Sequence, residues 1–79
     1  MMNKVLFQEY KNNGSLEPEK RIEIDWGGNG RGIYTGKIIS SNGGCISLDY
    51  STGIGNFHHN HILTIAPPVR KDGFTRKKL

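Results

Sequence analysis

A chain of 79 residues has room for one compact unit with a small core, because domains of this size bury only about 60% of the surface their unfolded chain exposes. A single cysteine, Cys45, excludes an internal disulfide framework, and no apolar run approaches the roughly 20 residues that a membrane-spanning helix needs. The net charge of +4 is carried entirely by the C-terminal end: residues 1–69 hold six cations and six acids, whereas residues 70–79 hold Arg70, Lys71, Arg76, Lys77 and Lys78 against Asp72 alone.

Asn3 to Lys11 places Val5, Leu6 and Tyr10 near helical spacing, with Asn3 available as an N-cap. So short a helix must lie against something apolar to persist, so it is expected to cover one end of a sheet. Asn12, Asn13 and Gly14 stop it, and Ser15 to Glu19, containing Pro18, reads as a linker. From Arg21 the period becomes two: Ile22, Ile24 and Trp26 share one side of a strand, Arg21, Glu23 and Asp25 the other. Gly27 to Gly32 is a loop rich in residues that tolerate positive φ. A second strand, Ile33 to Ser40, is interrupted by Gly36, where a strand glycine permits a bend or bulge. Ser41, Asn42, Gly43 and Gly44 give the strongest local signal, an Asn-Gly pair between apolar runs that favours a type I′ hairpin.

The returning strand, Cys45 to Tyr50, alternates Ile46, Leu48 and Tyr50 with Cys45, Ser47 and Asp49, and Ser51 to Gly53 makes a turn. Ile54 to His58 forms a fourth strand and His61 to Ala66 a fifth, ended by Pro67 and Pro68, which cannot donate to a ladder. Five short strands in succession predict a mainly β fold, an antiparallel meander. Such a sheet covers its apolar face and its edges by curling into a small barrel of SH3, Sm or OB type. The expected organisation is one domain over residues 1–69, with a short helix at 3–11 and strands within 21–66, followed by a flexible basic tail at 70–79.

Two stretches resemble the bacterial Sm-like proteins, the group that contains Hfq and Rof. Gly36, Ile38, Ser40, Asn42, Ile46 and Leu48 follow the spacing of the first Sm motif, and Phe57, His58, His59 and Asn60 through Ile65 are similar to the second. The helix-first order also agrees. The chain departs at Gly44, which replaces the aromatic residue that commonly follows the first-motif acid or amide. The second motif carries one extra residue, so either Asn60 or His59 matches the family histidine. The resemblance implies an Sm-like barrel that binds RNA, with paired strand edges building a ring or other homo-oligomer.

His58, His59 and His61 hold all the imidazole of the chain. If the strand stays extended, His59 and His61 share a face at a spacing that can chelate a divalent metal, but no third protein ligand is identifiable, so no metal site is assigned. The competing readings are polar residues at a barrel rim and contact with a nucleic acid, where imidazole can stack on a base or bond its edge. The Gly27 to Gly32 loop lacks the Lys and Ser/Thr of a nucleotide-binding loop. No nucleophile with a base, no telling acid pair and no cofactor fingerprint is present, so neither an enzyme nor a cofactor is expected. The leading expectation is a cytoplasmic RNA-binding module in which Arg31, Lys37, Arg70, Lys71, Arg76, Lys77 and Lys78 meet phosphates while Tyr34, His58, His59, Asn60 and His61 contact bases. The alternative is a protein-interaction module, an inhibitor or accessory factor of a mobile element, acting through a free strand edge. Neither reading involves a membrane.

Overall fold

The computed structural model describes residues 2–76; Lys77 and Lys78 lie outside the described residues. Asn3 caps α1 (Lys4–Asn12), its Oδ1 accepting the Leu6 N–H at 2.8 Å, which satisfies one of the donors that a helix start leaves unpaired. At the other end the Asn13 N–H returns to the Glu9 carbonyl, and Lys11 in the last turn complements the helix dipole. Phe7 is the residue of α1 that is buried; Val5 and Leu6 are exposed and Tyr10 packs against the core from its margin. The apolar stripe read from Val5, Leu6 and Tyr10 is therefore rotated, because Phe7 offers the larger apolar surface to the interior.

Six strands follow: β1 (Arg21–Trp26), β2 (Gly32–Asn42), β3 (Cys45–Asp49), β4 (Ile54–His58), β5 (Ile62–Ala66) and β6 (Gly73–Thr75). They form one antiparallel sheet in the order β4-β3-β2-β1-β5, with β6 joined to β2. β2 organises it. Its first half pairs with β1 along one edge; on the other edge β6 takes Ile33 to Thr35 and β3 takes Lys37 to Asn42. The bend this requires has a local cause. A Cβ on Gly36 would overlap the backbone carbonyl of Asp49, so only glycine lets the two strands approach there, and a register shift between Ile38 and Ser40 adds a bulge.

The β2–β3 hairpin closes through Gly43 and Gly44, both at positive φ (62° and 78°), between the paired residues Asn42 and Cys45. This is the two-residue primed-turn geometry, in which glycine carries no steric penalty. Asn42 thus belongs to the strand and the glycine pair makes the turn.

The predicted alternation holds where the core forms. Ile22, Ile24 and Trp26 of β1 meet Ile38, Ile46, Leu48, Phe57 and Ile62, all buried. Trp26 turns its polar edge to the backbone, Nε1 donating to the Asn29 carbonyl at 2.8 Å. Leu16, inside the expected linker, is 1% exposed and is held by Ser41 Oγ, which donates to the Leu16 carbonyl at 3.2 Å.

Two further features differ from the sequence reading. The sheet is not closed into a five-stranded barrel: β4 and β5 stand at its ends, no ladder joins them, and the contact between Trp26 and Phe57, ring centroids 5.1 Å apart, bridges the curved interior instead. Part of the basic segment is also built into the body. Gly73 to Thr75 is a sixth strand, Arg70 Nη1 pairs with Glu23 Oε1 at 2.8 Å, and Arg21 pairs with Asp72. No helix among the described residues is long and apolar enough to cross a membrane.

Candidate nucleic-acid interface

Three segments distant in sequence meet at the Asn42 end of β2. Lys4, Gln8 and Lys11 stand at helical spacing on one face of α1, and with Phe7 they line a concavity whose other walls are Gly43, Gly44, His58 and His59. The chain reaches it through a 3-10 turn, His59–His61, inserted between β4 and β5. That turn overturns the expectation that continued extension would set His59 and His61 on one strand face. His59 is buried with its ring 5.6 Å from Phe7, while His61 is exposed with its ring 5.6 Å from Trp26.

The two imidazoles of the concavity are oriented by the backbone. His58 Nδ1 accepts the Asn60 N–H at 3.2 Å, so in the neutral ring its Nε2 carries the proton and is a donor. His59 Nδ1 lies 3.1 Å from the Met2 carbonyl oxygen; since a carbonyl only accepts, Nδ1 donates and the neutral ring's Nε2 is an acceptor. The rings lie 4.4 Å apart at 30°, and both Nε2 atoms face Gly44, within 3.6 Å of the position a Cβ would take there. One donor and one acceptor therefore sit side by side below two ammonium groups and a carboxamide. Lys4, Gln8 and Lys11 are not singled out by the sequence reading, although they fall at i, i+4 and i+7 on the predicted helix, and Gly44 enters it as a turn residue and a departure from the first Sm motif.

The other expected site residues divide. Asn60 is exposed on the 3-10 turn beside the concavity. Arg31 and Tyr34 lie at the opposite, Gly32 end of β2, where the Tyr34 hydroxyl donates to the Gly30 carbonyl and its ring touches Tyr50, Phe57 and Phe74 at centroid distances of 4.9, 4.8 and 4.5 Å. Burial raises the Tyr34 phenol above its ordinary range; Tyr50 adds to the rise and the charge of Arg76 opposes it. Lys37 is paired with Glu19 at 3.1 Å, and Arg70 with Glu23. Lys71 is exposed.

Among the described residues no group of three His, Cys, Asp or Glu side chains could hold a metal ion. Comparison with known proteins finds no family model, no curated protein and no solved structure that matches this chain.

Proposed function

We propose that the protein is an Sm-like or SH3-like RNA-binding module that holds single-stranded RNA in the concavity between α1, the Gly43–Gly44 turn and the two histidines. The observation that carries this reading is the adjacent donor and acceptor at His58 Nε2 and His59 Nε2 beside Lys4 and Lys11. A base presents donors and acceptors side by side along its edge, and unpaired RNA is read by such contacts with lysine ammonium groups on the phosphates. The strand order, with a helix first and a long bent β2 at the centre, is consistent with the small-barrel group named by the resemblance.

A titration of fluorescently labelled single-stranded oligoribonucleotide at two salt concentrations tests this. Lys4→Ala with Lys11→Ala is expected to weaken binding about tenfold and to flatten the salt dependence by about 1.4 in log–log slope, from about 0.7 per phosphate contact. Absence of RNA binding by the unaltered protein at low salt would remove the proposal.

A second reading is favoured by the sheet edges. β4 and β5 each pair on one side only, and Ile54 on β4 is 67% exposed. Such edges suit strand addition by a protein partner or a second copy. Light scattering across a concentration range tests self-pairing: a constant monomer mass would discard the second copy.

A further inference from the structure

The basic C-terminal segment does more than add charge, because β6 builds an aromatic surface at the Gly32 end of β2. Phe74 pairs with Tyr34 across the β2–β6 ladder, so both rings point to the same side of the sheet. They contact at 4.5 Å, and Tyr50 completes the cluster against Tyr34. Room for the Phe74 ring exists only because residue 32 is glycine: a Cβ there would overlap the ring and come within 2.7 Å of the Thr75 carbonyl. Despite these contacts Phe74 remains 36% exposed.

Two arginines border this surface. Arg31 joins Gly30, whose carbonyl takes the Tyr34 hydroxyl, to Gly32, which lies under Phe74. Arg76 follows β6 closely enough for its charge to act on Tyr34. Nearby acids are already engaged: Glu23 by Arg70 and Asp72 by Arg21, and Asp25 of β1 is not without a partner either. Among the described residues no ion pair involves Arg31 or Arg76. An exposed aromatic ring between unneutralised guanidinium groups matches a polyanion that also carries flat rings, since bases stack on aromatic faces while arginine takes the phosphates.

We propose that Phe74 and Tyr34, flanked by Arg31 and Arg76, form a second single-stranded nucleic-acid site, with a base stacked on Phe74 and the neighbouring phosphates on the two arginines. The ligand class rests on the RNA-binding reading above, but the residues are separate. One strand can then occupy both ends of β2, and the two contacts reinforce each other through the linking nucleotides.

The experiment uses the full chain and a mixed-sequence oligoribonucleotide of about 16 nucleotides, within the length such stacking surfaces cover. Phe74→Leu keeps an apolar side chain in β6 without a stacking ring, and Arg31→Gln with Arg76→Gln removes charge at exposed positions. Each is expected to weaken binding about tenfold, the arginine variant at an unchanged melting temperature and Phe74→Leu at a slightly lower one, with the chain still folded at the temperature of the titration. Photocrosslinking with 5-iodouridine in the same strand is expected to label the Tyr34 or Phe74 peptide, and to do so still in the Lys4→Ala, Lys11→Ala protein. If that pocket variant is weakened while both face variants bind like the unaltered protein, or if crosslinks map only to residues 4–11, 43–44 and 58–59, the second site falls and the first stands. If the unaltered protein binds no RNA, both fall. Saturable binding of a polyproline peptide that is lost in Phe74→Leu, with RNA binding intact, assigns the face to a peptide and overturns the proposal.

Discussion

The two ends of β2 carry surfaces that are built by different forces. At the Asn42 end, geometry comes from backbone hydrogen bonds: Asn60 N–H fixes His58 and the Met2 carbonyl fixes His59, while the lysines stand on a separate helix. At the Gly32 end, rings hold rings. Tyr34 touches Tyr50, Phe57 and Phe74, and Phe57 continues the chain of contacts into Trp26 at 5.1 Å. A polar site assembled from three segments can lose one contact without disturbing the core, because each hydrogen bond is worth only about 1 kcal/mol net. An aromatic site continuous with the core cannot, since its rings contribute to folding as well as to the surface.

Substitutions at the junction and at each end test that contrast. Phe57→Ala should have the largest effect, because Phe57 is buried, precedes His58 in β4 and contacts Trp26, Tyr34 and Tyr50. A loss of about 3–5 kcal/mol in urea unfolding is expected, comparable with the whole stability of so small a domain, and Phe57→Leu should recover much of it. A mild effect of the alanine variant would show that the aromatic end is a surface feature independent of the core. Gly32→Ala comes next. Its Cβ displaces the Phe74 ring and crowds the Thr75 carbonyl, at a cost of about 2 kcal/mol. The loss should appear as faster amide exchange in β6 and Ile33 to Thr35, with the amides of Cys45 to Leu48 unchanged.

Gly44→Ala probes the other end more gently. The residue sits at φ 78°, where an alanine costs about 1 kcal/mol, and its Cβ would stand 3.1 Å from His59 Cδ2. The melting temperature should fall by a few degrees, about 5 °C for a domain of this size, while imidazole resonances of His58 and His59 shift and those of His61 do not. Equal shifts in all three rings would mean that the 3-10 turn transmits the change, and that the two ends are coupled.

How far the sequence foretold this arrangement follows from the range of the interactions involved. The alternation of Ile22, Ile24 and Trp26, the Asn3 cap and the tight hairpin depend on neighbours a few residues away, and all of them could be read directly. Phe7 and Leu16 could not: their burial depends on where the helix and its following turn dock. β6 was hidden for the same reason. Its three residues have no alternating pattern of their own, and they become a strand only because β3 leaves the first half of β2 with a free edge. The histidine cluster was legible as composition, yet its division between the pocket and Trp26 depends on a single 3-10 turn. The lysines of α1 carry no meaning until that turn is brought beneath them.

The smallest expected effect reports on Tyr34 itself. Burial raises its phenol above the unfolded value of 10.0, so below about pH 10 both the folded and the unfolded chain hold it neutral and its contribution to stability is fully present. As the pH climbs past 10 the unfolded chain ionises first, and that contribution is lost as the pH passes through the raised folded value. Tyr34→Phe lacks this proton. It should melt slightly lower at neutral pH, having lost the hydroxyl bond to Gly30, and the gap to the unaltered protein should narrow above about pH 10. A gap that stays constant to high pH would show that the phenol is as well solvated folded as unfolded. Arg76→Gln sharpens the result, because Arg76 opposes the rise: removing its charge should move the Tyr34 ionisation, followed by absorbance at 295 nm as the difference from the Tyr34→Phe protein, to still higher pH. An unmoved titration would place the guanidinium away from the ring, and the aromatic end would then lack one of the two charges that make it complementary to a phosphate backbone.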